Sequence, residues 1–126
     1  QSLRDELLTE QGLRTVSPKN TQSIGLNNGN EAQRKKAKHQ GSVHPWLTGP
    51  FCEGWVKLHG KAGLNFIKEI YRNFENEISK AGIGTLSELY DGNPPHVPKD
   101  AISYAPSVAE LLRVIRIIDD AETYQE

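Results

Sequence analysis

The stretch GTLSELYDGNPPHVP, residues 84–98, lies between two strongly helical segments, and the rest of the chain is arranged around it. Its prolines, Pro94, Pro95 and Pro98, each fix φ, remove an N–H donor and disfavour α geometry in the preceding residue. The segment from Asn93 to Lys99 is therefore predicted not to be helical. Long connections without secondary structure are usually functional or disordered, and the prolines favour the first interpretation, a rigid functional loop.

Helical periodicity is clearest on both sides of this loop. Lys61 to Ala81 is predicted as a helix that Gly82 caps just past its end. Its apolar face consists of Leu64, Ile67, Tyr71, Phe74 and Ile78. A second helix is predicted from Ser107 to Ala121, with Pro106 close to its start and Ser107 available as its N-cap. The apolar face of that helix consists of Val108, Leu111, Leu112, Ile115 and Ile118.

The segment before these helices is also predicted to be helical. Ser42 is a candidate N-cap, and Pro45 falls near the first turn, where its missing N–H costs least. The helix then runs towards His59, although Gly49-Pro50 should kink or divide it. Its apolar stripe consists of Trp46, Phe51, Trp55 and Leu58. A tryptophan on such a stripe more often packs in a core than binds a ligand, so spacing alone favours a packing role for Trp46.

The N-terminal third of the chain offers fewer apolar residues. Ser2 to Leu8 is predicted as the end of a helix, with Gly12 as its C-terminal cap. Ser17 to Gln40 is predicted as a solvated loop with a charged face. Its basic cluster consists of Arg34, Lys35, Lys36 and Lys38. Since no strand pattern competes with the helical ones, the predicted fold class is all-α, with polar loops joining long helices.

Composition and charge narrow the class of protein. The chain has 126 residues, 36% hydrophobic and 25% charged, which is typical of one soluble unit with an ordinary core. A formal charge of −1 gives no reason to expect nucleic acid or anionic lipid as a partner, and it favours a neutral polar ligand. No apolar run approaches the roughly 18 residues of a membrane helix.

Cysteine and methionine usage adds two expectations. The single Cys52 requires no oxidising compartment, so a cytoplasmic location is expected. The chain begins at Gln1 and contains no Met, whereas a translated protein begins with Met. Residues 1–126 are therefore expected to be one helical unit cut from a longer protein.

Two acids in the central loop are the first candidates for chemistry. Glu88 and Asp91 are three residues apart, so in a helical turn their carboxylates would share a face and mutual repulsion would raise a pKa. Glycosidases use two carboxylates, but hold them about 5–5.5 Å or about 6.5–9.5 Å apart around the sugar. Two acids on one local turn match both distances poorly. From spacing alone, an exposed pair of loop acids is favoured over a catalytic pair.

Other site chemistries lack the residues they need. His39, His44, His59 and His96 are too dispersed for a zinc motif, and no cysteine pair supplements them, so metal binding is unsupported. The chain has no nucleophile elbow and no phosphate-cradling glycine loop. No cofactor is therefore expected.

Three motifs resemble the C-terminal part of the glucosidase domain of glycogen debranching enzymes, the amylo-α-1,6-glucosidases. LRTVSP (residues 13–18) is similar to the family's "GLRTLSP", HQGSVHPWLTGPF (39–51) to "HQGTVWPWLIGPF", and GTLSELYDGNPPH (84–96) to "GTISEIFDGDPPH". A predicted helix with the sequence SVAELLR (107–113), which the family shares, completes the match. Order and approximate spacing agree from Gly12 to Arg113.

The resemblance implies an (α/α)6 barrel of the six-hairpin glycosidase type, with this chain supplying roughly its last third. Glu88 would then be the general base that activates the water attacking with inversion, and the general acid would lie in an upstream part of the barrel. The implied substrate-binding residues are His39, Gln40, Trp46, Asp91 and His96. The implied partners are an α-glucan such as glycogen and the remainder of the parent barrel. Without that remainder, exposed apolar helix faces should make the chain self-associate.

The chain differs from the family's typical sequence at several positions. Lys38 stands where the family has an aromatic residue, His44 replaces the first Trp of "WPW", and Asn93 replaces an Asp. Residues 97–106 replace "RPRGCIAQAW", losing an Arg, a Gln and a Trp from the substrate-facing wall. Two alternatives to a debranching hydrolase therefore stay open. One is a non-catalytic helical module for carbohydrate binding or protein interaction, and the other is a glucoamylase-like or trehalase-like barrel glycosidase.

Overall fold

The computed structural model describes residues 2–80 and 82–123, and helices predominate in it. Within these residues there are four α-helices, α1 (Glu31–His39), α2 (Thr48–His59), α3 (Leu64–Ile78) and α4 (Ala105–Thr123). Turns of 3-10 helix at Pro45–Leu47 and Gly60–Gly63 precede α2 and α3. No helix in the described part of the chain is both long and apolar enough to span a membrane.

The core forms where α2, α3 and α4 pack together. Its buried residues are Cys52, Ile67, Ile70, Phe74, Leu86, Leu111, Val114 and Ile118. The predicted face of α3 is confirmed, although the helix begins only after the 3-10 turn and its predicted end, Ala81, lies outside the described residues. The face of α4 is rotated from the prediction, since Val114 is buried and Leu112 is 60% exposed.

The all-α prediction is wrong in one respect, because the described chain also contains a five-stranded antiparallel sheet in the order β1-β2-β3-β4-β5. The strands are β1 (Leu8–Thr9), β2 (Gly12–Arg14), β3 (Val43–His44), β4 (Leu89–Tyr90) and β5 (Pro98–Lys99). Each has only two or three residues, too few for the alternation that identifies a strand in sequence. The sheet joins the three motif segments, with β3 pairing β2 on one side and β4 on the other.

The predicted N-terminal helix is reduced to a single π-helical turn at Leu3–Leu7, and β1 follows directly. Gly12 does not cap that helix but begins β2, with φ +132°. A Cβ at this position would lie 2.8 Å from the His44 carbonyl oxygen. Glycine is therefore needed here so that β2 can approach the chain at His44 closely.

The predicted loop from Ser17 to Gln40 is wrong over its last third, where α1 forms and carries the basic cluster. A capping box starts this helix, since the Asn30 side chain accepts from the Gln33 amide and the Gln33 side chain accepts from the Asn30 amide, both at 2.9 Å. Ala37 is the buried residue of α1. The capping box therefore stabilises a helix whose apolar face is too narrow to be recognised in the sequence.

The start of α2 also differs from the prediction. Ser42 is not its N-cap, because β3 and a 3-10 turn come between them. Gly49-Pro50 falls in the first turn of α2, where amides lack helical acceptors, so the proline does not divide the helix. Of the predicted stripe, Phe51 and Trp55 pack against the core, whereas Leu58 is 82% exposed and Trp46 is 39% exposed.

Candidate functional site

The central stretch of residues 84–98 contains β4 and runs into β5, and the loop between these two strands is held against two other segments. The prediction that Asn93 to Lys99 is not helical is confirmed. Asn93 N donates to Gly25 O at 2.9 Å, and Arg14 Nε donates to Gly92 O at 2.9 Å. A Cβ at Gly92 would lie only 2.2 Å from the Gly41 carbonyl oxygen, so glycine here lets the loop lie against the His-Gln-Gly segment.

Glu88 immediately precedes β4, and its carboxylate is held from two directions. The oxygen Oε1 accepts from Lys38 Nζ at 2.5 Å, and the Glu88 side chain is 17% exposed. The backbone of Glu88 donates to Ala101 O at 2.8 Å, and Oε2 lies 3.5 Å from the Ala101 amide nitrogen. The carboxylate therefore lies between the end of α1 and the chain that follows β5.

The ion pair shifts the pKa values of both Glu88 and Lys38. The hydrogen bond and charge of Lys38 hold the pKa of Glu88 below its ordinary value, while partial burial opposes them. Glu88 in turn raises the pKa of Lys38 above its ordinary value. The ion pair stabilises the folded protein fully when the pH is above the ordinary pKa of Glu88. This stabilisation is lost as the pH falls through the lowered pKa that Glu88 has in the folded protein. Glu88 is therefore ionised at neutral pH.

His44 of β3 lies beside this ion pair. Burial is the main cause that lowers the pKa of His44, so the imidazole is neutral at neutral pH. Its Nε2 lies 2.9 Å from Lys38 O. A carbonyl oxygen only accepts, so this contact assigns the proton to Nε2. The ring thereby helps to fix the backbone from which the Lys38 side chain extends.

Glu88 and Asp91 do not form the pair that their spacing predicts. They flank the two residues of β4, and in extended chain residues three apart point to opposite faces. Asp91 is only 3% exposed. Its Oδ1 accepts from the Asn27 amide at 2.8 Å, and its Oδ2 lies 3.7 Å from Lys99 Nζ. The expected mutual rise in pKa is wrong for Glu88, and Asp91 is not an exposed loop acid but holds the loop together.

We expect Asp91→Ala to lower the free energy of unfolding by about 1–3 kcal/mol, because the buried Asn27 amide would lose its acceptor. Asp91→Asn should cost less, since the amide oxygen still accepts from Asn27. Urea unfolding of both variants measures the difference. Equal stability of the Ala and Asn variants would contradict this role for Asp91.

A cavity of about 670 Å³ lies beside β2 and β3. Its lining is largely apolar, from Leu3, Leu7, Leu13, Leu47 and Pro50, and also includes Arg14, Thr15, His39, His44, Trp46 and Phe51. Trp46 is 39% exposed at this cavity and is not among the buried core residues, so it packs only in part as spacing predicted. Aromatic faces with polar neighbours are suited to sugar rings, and contact of Trp46 with substrate stays a prediction.

A second cavity, of about 510 Å³, lies beside Lys38 of the Lys38–Glu88 ion pair. Its lining comprises Glu31, Arg34, Lys35, Lys38, His39 and Asp100. Glu88 lines neither of these two cavities, but its partner Lys38 lines the second. His39 borders both, which brings Trp46, His39 and the Lys38–Glu88 pair into one neighbourhood.

Two predicted substrate residues lie differently. His96 lines a separate cavity of about 540 Å³, and its Nδ1 is 2.8 Å from Asp91 O. Gln40 has a buried Oε1 with no hydrogen-bond partner among residues 2–80 and 82–123. An unpaired buried acceptor is costly unless a ligand or water satisfies it. Gln40 therefore has an unsatisfied buried acceptor next to His39, and the cavity at His96 shares Arg14 with the first cavity.

Sequence reasoning did not identify two members of this site. Arg14 lines the larger cavity and holds Gly92, and its place in the LRTVSP motif was the available signal. Lys38 was noted only as a member of the basic cluster and as a departure from the family's sequence. It is 50 residues from Glu88 along the chain, so no local pattern indicates that the two side chains pair. No group of three or more potential metal ligands lies together within the described residues.

Comparison with known proteins matches the chain to a family model. The family model described as amylo-alpha-1,6-glucosidase matches residues 1–113. No curated protein and no solved structure matches the chain. The matched range contains all three motifs and every residue of the site described above.

Proposed function

The chain belongs to the amylo-alpha-1,6-glucosidase family, and on that basis we propose that it is the C-terminal segment of a glycoside hydrolase that cleaves α-1,6-glucosidic branch linkages in α-glucans. In this proposal, Glu88 is the general base. It accepts a proton from the water that attacks the anomeric carbon, and the configuration there inverts. The substrate is a glycogen-like glucan, and no cofactor takes part.

The observation that carries the proposal is the state of the Glu88 carboxylate. It is ionised, partly shielded from solvent and fixed by Lys38 and Ala101 within a motif that the family match covers. A general base must be unprotonated and held in one geometry relative to the water it activates. The sheet supplies that rigidity, because β4 is paired on both edges directly after Glu88.

The general acid is proposed to lie outside residues 1–126. Asp91, the acid closest to Glu88 along this part of the chain, is buried against Asn27 and Lys99 and is not free to protonate a leaving oxygen. Inverting glycosidases hold acid and base about 6.5–9.5 Å apart. We propose that an upstream part of an (α/α)6 barrel brings the acid to that distance.

The surface supports a longer protein. Several large apolar side chains are more than half exposed: Leu3, Leu26, Leu58, Ile83, Ile102 and Leu112. Exposed apolar surface of this kind marks an interface when it is contiguous. We propose that the remainder of the barrel covers part of it, and that the isolated chain covers it by self-association.

A non-catalytic carbohydrate-binding module is the second candidate, favoured by the same ion pair. Lys38 occupies one oxygen of Glu88, and a carboxylate fully taken up by a lysine would bind rather than react. The deciding experiment replaces Glu88 with Gln in the protein that also carries the general acid and measures glucose release. If glucose release is lost while the glucan still binds, the result supports the hydrolase. If glucose release is unchanged, Glu88 is not the general base.

Trp46→Ala is expected to raise KM by about fivefold, because removing one aromatic stacking surface costs about 1 kcal/mol. Since Trp46 is only 39% exposed, its truncation also removes buried contacts, and thermal unfolding of the variant checks that the fold is retained. Trp46→Phe retains a ring and should restore most of the affinity. Steady-state kinetics on a branched glucan measures the change, with Trp46→Phe as the matched control. An unchanged KM for Trp46→Ala would contradict a stacking role.

A further inference from the structure

We propose that Lys38 is a positioning residue, which holds the Glu88 carboxylate in one orientation and in its ionised form and thereby sets the acid limit of activity. This inference rests on the proposed role of Glu88 as general base. Lys38 contacts no reacting atom in the proposal and acts only through Glu88. Its distinguishing consequence is therefore a pH profile, which a purely structural lysine would leave unchanged.

The contact itself is short and partly shielded. Lys38 Nζ lies 2.5 Å from Glu88 Oε1, with the two side chains 34% and 17% exposed. Charge-assisted hydrogen bonds are roughly twice as strong as neutral ones. Exposed ion pairs contribute little because solvent screens them and both side chains are mobile. Here the reduced exposure of Glu88 limits screening, and the backbone on both sides of the pair is fixed.

The lysine backbone is fixed by its neighbours at the end of α1. His44 Nε2 donates to Lys38 O at 2.9 Å. The preceding residue, Ala37, is fully buried, and its carbonyl accepts from the Ser42 amide at 3.1 Å. A lysine stem is flexible, so a defined end point for Nζ requires a fixed starting point. These contacts provide that starting point.

The carboxylate retains unoccupied acceptor sites. A carboxylate offers about four lone-pair sites. Lys38 takes one site on Oε1, and the Ala101 amide lies at 3.5 Å from Oε2, the outer limit of a hydrogen bond. An acceptor position therefore remains for the attacking water. This geometry favours a positioned base over a permanently blocked carboxylate.

Ionisable groups from several elements face the pair. They are Lys38 of α1, His44 of β3, and Asp100 and Tyr104 from the chain after β5, with His39 beside His44. Lys38 is the main cause of the lowered pKa of Glu88, and His44 adds a smaller effect in the same direction. Asp100 and Tyr104 act on Lys38, whose pKa they help to raise. Lys38 is therefore charged across the acid and neutral range.

The sign of the pH effect follows from these shifts. A base works only when unprotonated, so the acid limit of activity follows the pKa of Glu88. With Lys38 present, that pKa lies below its ordinary value of 4.5. Without Lys38 it should move upwards, since burial remains and raises it. On the acid limb, each unit of that displacement lowers kcat/KM by about tenfold.

The experiment compares Lys38→Met, Lys38→Arg and Lys36→Met. Met keeps most of the stem without the charge, Arg keeps the charge, and Lys36→Met removes the same charge from an exposed position two residues away on α1. One readout is a ¹³C NMR titration of the Glu88 carboxyl in the 126-residue chain, with its signal assigned by its absence in Glu88→Gln. The other is the pH profile of kcat/KM in the protein that carries the general acid.

We expect Lys38→Met to raise the titration midpoint of Glu88 and the acid limb of kcat/KM together. Lys38→Arg should restore both, and Lys36→Met should change neither. An unchanged midpoint in Lys38→Met, while Glu88→Gln abolishes activity, overturns this inference and leaves the proposed function in place. A shifted midpoint with full activity in Glu88→Gln confirms the pair but overturns Glu88 as base, and with it the role of Lys38 in catalysis.

Discussion

Replacing Glu88 with Gln is expected to lower kcat by about 10²–10⁴-fold, because a positioned general base contributes that much to the rate. Gln is nearly isosteric with Glu but cannot accept the proton of the attacking water. KM should change much less, since the substitution removes an interaction that strengthens only in the transition state. Glucose release from an α-1,6-branched glucan, in the protein that carries the general acid, measures the effect.

The structure supplies the controls for this variant. The side-chain amide oxygen that Glu88→Gln introduces can still accept from Lys38, so thermal unfolding should show a folded protein, with a modest loss from the missing charge. Asp91→Asn should lower stability rather than kcat, because Asp91 binds Asn27 and Lys99 away from Glu88. The 126-residue chain by itself should release no detectable glucose. A folded Glu88→Gln variant with an undiminished rate would show that Glu88 is not the base.

Periodicity predicted the helices that build the core and failed on the segments that build the site. The face of α3 was predicted well because Leu64, Ile67 and Phe74 follow helical spacing over a long segment. Strands of two or three residues are too short to show an alternation of apolar and polar residues, so the hydrophobic pattern did not predict the sheet. The resemblance marked the right segments, since the sheet pairs one motif with another.

The electrostatics of the site depended on contacts that are distant in sequence. Glu88 and Asp91 were considered as a local pair, which predicted a raised pKa. In the fold, each acid finds a different cation: Lys38 for Glu88 and Lys99 for Asp91. A helical turn was the wrong local geometry, because β4 lies between the two acids. The sign of the pKa shift of Glu88 reversed for that reason.

Truncating Leu111 is expected to have the second large effect, a loss of about 2–5 kcal/mol in the free energy of unfolding, as for other buried leucines. Leu111 is 7% exposed in the cluster formed with α2 and α3, so the variant leaves a cavity there. Leu112→Ala is its matched control, with the same chemistry one residue later on α4 and 60% exposure. In the isolated chain the control should change stability by less than about 0.5 kcal/mol. Urea unfolding of the two variants measures both.

The same two variants test whether a longer protein covers α4. If the remainder of a barrel packs on the exposed side of this helix, Leu112 becomes buried in the longer protein and Leu112→Ala becomes costly there, by about 2 kcal/mol or more. Leu111→Ala should remain costly in both contexts, because its partners lie within this chain. Self-association of the isolated chain through the same surface would instead make the cost of Leu112→Ala depend on protein concentration. A cost below about 0.5 kcal/mol in the longer protein, at every concentration, would show that the outer face of α4 remains in solvent and that the barrel does not close over it.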